Sequence, residues 1–432
     1  MRKKIKNIIS IIDRFFYKKF RSYKSTKVLG NIKEAQLIFS YLNKTGEDAR
    51  VRFVGGCVRK AIFGEDIDDI DLATSLEPDE VKKILSEKDI KVIDTGISHG
   101  TVTAIIKNKK FEITTLRKDL STDGRHANIE FTKNWETDAR RRDFSINSIY
   151  VDIEGRIFDP LEGELDLKNG KIKFNGPSEE RIQEDYIRIL RYFRFFIQYS
   201  KKSYDEDVIK AIKRNINGLN KISNERIFLE LKKILMLKNV YKFFFDNEMR
   251  EIFLNIFPQL IHFERLKIIR DLDEKLKDKF NINLILALLI VDNSNSYEYF
   301  CHKYKASNNI RNRFKNISVN IENLKSKNFY SEENIKKQIY LTNKDYVNDL
   351  LLFSICINNK VNKNHIEKLL RYVKKCKIPK FPISGNYLKK HGYETGQKLG
   401  KKLKLLEEKW IENNFIIEKN IIKKNIVKIN KN

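Results

Sequence analysis

A β-branched run, Ala49–Val54 (ARVRFV), leads into Gly55-Gly56; a short helical stretch, Cys57–Phe63, follows, and a second strand is expected over Asp69–Thr74 (DIDLAT). This order restricts the fold more than any bulk property. A glycine pair where a strand turns into a helix lets backbone amides approach a phosphate, and the helix N-terminus adds partial positive charge. Arg59, one turn into that helix, is placed to grip the same phosphates. Carboxylates at i and i+2 of a strand project from one face. Asp69 and Asp71 therefore form a candidate metal pair, and Mg²⁺ takes one or two carboxylates completed by phosphate oxygens. Asp68 points to the other face. Glu112 offers a third carboxylate, since Phe111 and Ile113 face a core and turn it the other way. Beside Asp69–Thr74 it would complete the metal site or help take a proton from an attacking hydroxyl. Taken singly, each feature also fits a plain turn or a solvated strand.

Further strands are expected at Lys91–Asp94, Thr101–Lys107 and Phe111–Arg117, with a helix starting at Pro78 (PDEVKKILSE) that carries acids in its first turn. After Ile172 the strand signal fades. Glu179–Tyr199, Glu225–Lys238 and His365–Cys376 show apolar faces of 3.6-residue period against Lys-rich outer faces. The expected fold class is α+β, a mixed-sheet head followed by an all-α remainder. The chain divides into a basic extension (1–31), a head (32–157), a helical neck (158–240), a helical body and tail (241–415) and a basic terminus (416–432).

The 432 residues carry a formal net charge of +28, which points to a polyanionic partner, nucleic acid before membrane. Lys, Ile and Asn are abundant throughout, as in proteins from AT-rich genomes, so part of the excess has that second explanation. Residues 1–31 hold ten basic side chains against Asp13 alone, with Ile5, Ile9, Ile12, Phe16 and Phe20 at helical spacing. Such a segment suits a tail, an RNA-contacting helix or a mitochondrial transit peptide. The cytoplasm is the expected compartment, with the mitochondrion as the alternative if the segment is a leader. No apolar run approaches the ~18 residues of a membrane span; the longest, Leu284–Val291, reads as a buried helix. Four scattered cysteines without a CxxC pair argue against a disulfide framework and for a reducing compartment.

The runs VGGCVRKAIFG…DIDDIDLAT, HGTVTAIIKNKKFEITTLRKDLSTDGRHANIEF, RRRDFSINSIYVD, FDPLEGELDLKNGKIKF and ERIQEDYIRILRYFRF follow one another over roughly Val51–Phe196. Together they resemble the head of the polymerase-β-like nucleotidyltransferases, in the class II branch that holds tRNA CCA-adding enzymes and bacterial poly(A) polymerases. A weaker echo of the family's C-terminal pattern is FPISGNYLKKHGYETGQKLGKKLKLLEEKWIENNF. The resemblance implies that Asp69 and Asp71 bind the metal, and that Gly55, Gly56 and Arg59 hold the triphosphate. It implies that Arg142 contacts the nucleotide, Asp143 reads the ribose, Asp185 and Arg188 read the base, and Arg191 and Arg194 add further nucleotide contacts. It also implies Mg²⁺ as cofactor, ATP and CTP as substrates and the tRNA 3′ end as partner; the oligomeric state stays open. Rival expectations are a poly(A) polymerase, a CC-only or A-only enzyme, and a non-catalytic RNA-binding protein.

Two departures stand out. Lys60 replaces the family's usual acid after the motif arginine, and Tyr186 replaces the proline of EDPxR versions. Arg117–His126 falls where the family keeps a flexible loop. In EDYIRILRYFR, Asp185, Arg188, Arg191 and Arg194 are expected along one helical stripe, with Ile187, Leu190, Phe193 and Ile197 as the core face. A carboxylate accepts from an exocyclic amine and a guanidinium donates to a ring nitrogen or carbonyl oxygen, so one Asp–Arg pair can read both C and A.

Overall fold

Strands β2 (Val51–Val54) and β3 (Ile70–Thr74) pair antiparallel at the middle of an eight-stranded sheet. The other six are β1 (Phe20–Ser22), β4 (Lys91–Gly96), β5 (Thr101–Ile106), β6 (Lys109–Thr115), β9 (Tyr150–Val151) and β10 (Arg156–Phe158), in the order β1-β10-β9-β2-β3-β6-β5-β4. β3 and β6 run parallel and the other pairings are antiparallel, which makes the sheet mixed. β7 (Arg117–Asp123) and β8 (His126–Phe131) form a separate two-stranded ribbon. In this computed structural model, residues 20–22, 25–43, 50–123 and 126–416 are described. The expected apolar stripe from Ile5 to Phe16, and the terminus beyond 416, lie outside them. Phe20 belongs to β1, so a helix does not extend through it.

β2 is buried along its whole length, as a central strand covered on both faces must be. Helices α1 (Lys33–Leu42) and α3 (Pro78–Ser86) pack together, α1 burying Ala35, Ile38, Phe39 and Leu42. The Phe39 and Phe53 rings stand 4.7 Å apart, and each such side chain contributes about 1.5–3 kcal/mol on burial. α3 starts as its sequence dictates, with Pro78 at its first turn and a reciprocal cap between Glu77 and Glu80. Between β2 and β3 lies α2 (Gly56–Phe63).

The chain divides into two compact units, Met1–Val240 and Tyr241–Asn432. Beyond β10 no strand occurs among the described residues. In the first unit α4 (Trp135–Arg141) precedes β9, and the helices that follow the sheet include α5 (Ser178–Glu184), α6 (Arg188–Tyr199) and α7 (Asn224–Leu235). In the second unit, α8 (Ile282–Ile290) buries most of its surface, as the apolar run predicts, and α9 (Lys344–Ile357) packs near it. The final helix, α10 (Gln397–Glu412), sets Leu406 beside Ile383 and Leu388, and Trp410 meets the rings of Tyr340 and Phe381. No helix among the described residues is long and apolar enough to cross a membrane. All four cysteines are free thiols.

Candidate active site

A cleft of about 770 Å³ opens in the first unit, lined by eight arginines and six carboxylates. Ten of the twelve residues expected from the sequence lie on its wall: Gly55, Gly56, Arg59, Asp71, Arg142, Asp143, Asp185, Arg188, Arg191 and Arg194. Asp69 and Glu112 do not.

One end of the cleft is built by the turn from β2 into α2. Gly55, with φ +74°, caps the helix in a backbone region that side chains avoid, and a Cβ there would also stand 3.4 Å from Oδ2 of Asp71. At Gly56 a Cβ position meets nothing within 4 Å, leaving the first amides of α2 open to the cleft. Cys57 anchors the turn, its thiol reaching the carbonyls of Val54 (3.2 Å) and Asp71 (3.6 Å), and burial pushes that thiol up to about 11. It is a protonated packing group.

Asp71 faces Glu112 as register partner across the parallel β3–β6 pair. Burial, then the Glu112 charge and that of Asp69, push the Asp71 carboxyl above its usual range, while Arg142 and Arg59 oppose the shift. No hydrogen bond or ion pair reaches this carboxylate among the described residues. The sequence placed Asp69 on the same strand, but β3 begins at Ile70. Asp69 is an exposed residue of the preceding loop and lines a neighbouring hollow with Glu65, Asp66 and Asp68. The loop is shaped by Lys60, which pairs with Asp68 and holds its carboxyl below the ordinary range. Glu112 is likewise exposed and outside the cleft wall, so it acts on the site through the charge it sets beside Asp71.

At the other end, the expected continuous helix from Glu179 to Tyr199 is two helices. Asp185 ends α5 in an extended conformation (φ −154°, ψ 104°), and α6 starts at Arg188. Asp185 is therefore off the stripe that carries Arg188, Arg191 and Arg194. The cause is the competition an aspartate offers the helix backbone: Oδ1 accepts from the Ile187 amide (3.3 Å), and Oδ2 accepts from Arg226 Nη2 of α7 (2.8 Å). Arg188 donates through Nη1 to Glu184 Oε2 (2.5 Å) and to the Arg181 carbonyl (2.8 Å).

A polar chain joins the two ends. Arg59 donates to Asn147, whose amide donates to Asp143 Oδ1 (2.6 Å); Asp143 Oδ2 accepts from Arg191 Nε at 2.6 Å. Burial disfavours charge on Asp143, but Arg191, Asn147 and Arg188 outweigh it and hold the carboxyl well below the carboxylate range. Arg59, Arg191 and Arg194 all approach the buried Phe195 ring, at 4.7, 5.6 and 4.2 Å from its centroid. Arg194 also donates to Glu230 Oε2 at 2.8 Å. Arg142 is fixed from behind by the fully buried Asp138, which also takes Arg141 (2.8 Å) and the Tyr150 hydroxyl (2.6 Å).

The sequence reading missed Arg226, Glu230, Asn147, Glu184 and Asp138. Arg226 and Glu230 stand at i and i+4 on α7, opposite an apolar face of Ile227, Leu231 and Ile234, and so look like a solvated helix face. The segment Arg117–His126, read as a flexible loop, begins with β7; its Asp123-Gly124 pair was the available hairpin signal. Arg117 anchors the ribbon's base by donating to the His99 carbonyl and to Asp119 (3.3 Å).

Known proteins resemble the chain in the same regions. The profile of the poly A polymerase head domain matches residues 51–173, and that of the probable RNA and SrmB-binding site of polymerase A matches 203–263. The human mitochondrial CCA tRNA nucleotidyltransferase 1 is 34% identical over 378 residues, 84% of this chain and 83% of its own. The CCA-adding enzyme of Ligilactobacillus salivarius is 40% identical over 209 residues, 48% of this chain and 50% of its own. The crystal structure of the Bacillus stearothermophilus CCA-adding enzyme with CTP superposes with a TM-score of 0.68 at 23% identity, covering 88% of this chain and 93% of the other. With a relative so similar over most of both lengths, and with a mixed-sheet head whose cleft carries the motif residues, this protein belongs to the CCA tRNA nucleotidyltransferase family.

Proposed function

We propose that this nucleotidyltransferase adds C, C and A to the 3′ end of tRNA, from CTP and ATP and without a nucleic-acid template. The observation that carries the reading is that Asp185 and Arg188 share one cleft with the Gly55-Gly56 turn and Asp71. Residues 32–157 serve as the catalytic head, 158–240 as the neck that reads the base, and 241–415 as the part whose Lys-rich helices hold tRNA phosphates.

The donor set suits a divalent cation. Asp71 is a half-buried carboxylate without a protein partner among the described residues, and no ready-made cage of three His, Cys, Asp or Glu side chains occurs among them. That matches Mg²⁺, which completes its shell with phosphate oxygens and water. Asp71 and Asp69 would hold it, and when bound it neutralises triphosphate charge and acidifies the primer hydroxyl.

The chain's own groups do the rest. The amides at the start of α2 and Arg59 bind the triphosphate; Arg142, Arg191 and Arg194 contact the nucleotide, and Asp143 orients its ribose. Asp185 accepts from the exocyclic amine and Arg188 donates to the adjacent ring nitrogen or carbonyl, an arrangement that cytosine and adenine share. The primer 3′-oxygen attacks the α-phosphorus, and pyrophosphate leaves. The compartment, cytoplasm or mitochondrion, turns on whether residues 1–31 are removed on import.

The test is extension of a tRNA transcript lacking CCA, read at single-nucleotide resolution with CTP, with ATP, and with both, in Mg²⁺. Two C residues, then one A and a stop, are expected. A long A ladder without C would establish a poly(A) polymerase instead, and no extension would leave an RNA-binding protein.

A further inference from the structure

Tyr186 lies between the two residues assigned to base reading, and it alone among residues 184–188 is not on the cleft wall. Its ring packs on Gly218, in the 3₁₀ turn Ile216–Lys221. A Cβ at Gly218 would lie 2.0 Å from both Cδ1 and Cε1 of that ring and 2.5 Å from Cγ. Gly218 does not adopt a positive φ, so its backbone would accept any residue; what excludes a side chain there is the tyrosine ring. Lys221 sets its ammonium 5.5 Å from the ring centroid, within cation–π range.

At the flanks of the turn Arg226 bonds Asp185 Oδ2 and the Ile187 side chain is buried; the Tyr186 ring roots the residue between them. Asp185 is extended and outside both helices, and the local bonds are Arg188 N to the Asp185 carbonyl (3.0 Å), Ile189 N to the Tyr186 carbonyl (3.1 Å) and Ile187 N to Asp185 Oδ1. A hydrogen bond to a base weakens steeply with angle and distance, and displacement of a positioning group by about 1 Å costs on the order of 10²-fold in rate.

We propose that the packing of Tyr186 on Gly218 is a positioning device for nucleotide selection: it fixes the Asp185–Ile187 turn, and so the place where the Asp185 carboxylate and the Arg188 guanidinium meet the base. The inference rests on the base-reading role assigned above. Tyr186 is a positioning residue that acts through Asp185 and Arg188, and Gly218 is the socket that admits it. The device works by shape, so the phenyl ring matters and the hydroxyl does not.

The experiment measures single-turnover incorporation of CTP, ATP, UTP and GTP on tRNA ends, with thermal melts, for wild type, Gly218→Ala, Tyr186→Ala, the double variant and Tyr186→Phe. Gly218→Ala and Tyr186→Ala are each expected to lower the preference for C and A over U and G about tenfold, and the double variant to be no worse than the poorer single, because both disturb one contact. Tyr186→Phe keeps the ring and restores wild-type selection. Folded Gly218→Ala protein with wild-type selection, additive losses in the double variant, or a Phe variant as poor as the Ala variant would each overturn the proposal. If Gly218→Ala fails to fold, the Ala and Phe variants at 186 decide alone, with wild-type selection in Tyr186→Ala overturning it. Wild-type protein that adds neither C nor A would instead remove the base-reading role itself, a failure distinct from unaltered selection in the variants.

Discussion

Arg226 of α7 donates to Asp185 Oδ2 across 2.8 Å, joining residues 41 apart in the chain. The carboxylate proposed to read the base is thus oriented by a residue of α7. Arg226→Ala should lower kcat/KM for both CTP and ATP about tenfold, the effect of losing one charged partner of a positioning group. Arg226→Lys, a single ammonium without the planar fork, should recover only part. Single-nucleotide incorporation rates check both, and an Ala variant with wild-type rates would remove Arg226 from the site.

Asp71 and Asp69 should separate in a Mg²⁺ titration. Asp71→Ala is expected to lose on the order of 10³-fold or more in incorporation while tRNA binding persists. Asp69→Ala, altering an exposed loop residue off the cleft wall, should recover in part as Mg²⁺ is raised. Glu112→Gln should stay within about tenfold of wild type, as for a residue that acts only through its charge on a neighbour. Loss of tRNA binding in Asp71→Ala would sink its metal role.

Asp138 is a stability determinant with a definite pH signature. It is fully buried, and although burial disfavours its charge, Arg142, Arg141 and the Tyr150 hydroxyl hold its carboxyl well below the usual range. The stabilisation is complete above the pH at which an unfolded aspartate ionises, about 4, and is lost as pH falls through the lower folded value. Asp138→Asn should cost about 3–5 kcal/mol at neutral pH. Its deficit in thermal midpoint should shrink in acid.

Lys60→Ala breaks only the ion pair with Asp68, whose carboxylate side chain is 68% exposed. Chemical denaturation should show a loss under about 1 kcal/mol, with incorporation largely kept. A severe loss of activity would mean that the shape of the loop before β3 matters more than its exposure suggests.

The +28 charge should appear as salt sensitivity. Raising salt from about 50 to 200 mM should weaken tRNA binding on the order of 10³-fold if about six phosphates are neutralised, as fluorescence anisotropy would report. A flat response would argue against electrostatic binding.

What was legible in the chain follows from range. Gly55-Gly56, Arg59 and Asp71 lie within one strand–helix–strand unit whose local pattern carries them to the cleft, and strands β2 to β6 were readable from β-branched content. Asp69 sits directly before the start of β3 and lines the neighbouring hollow, while its charge still acts on Asp71. Asp185 was misread because helical periodicity does not reveal where an aspartate will cap locally and pair with a distant arginine. Asn147, Glu230 and Arg226 became meaningful only when folding set them beside Arg59, Arg194 and Asp185. Of the five missed strands, β1, β9 and β10 have three, two and three residues, too few for alternation to show, while β7 and β8 lie in and after the segment read as a loop.

Every arginine on the cleft wall already has a partner: Arg59 with Asn147, Arg117 with Asp119, Arg141 and Arg142 with Asp138, Arg188 with Glu184, Arg191 with Asp143, Arg194 with Glu230 and Arg226 with Asp185. A nucleotide entering here finds no idle arginine. A guanidinium carries five N–H donors and these bonds use only part of them, Arg59 Nε having no partner among the described residues, so a nucleotide is met by arginines already held in place and still able to donate. Side chains fixed before the nucleotide arrives lose little rotamer freedom when it binds. In a wall preset in this way the fit of a nucleotide to fixed donors, and not the ordering of the donors themselves, sets how it is held.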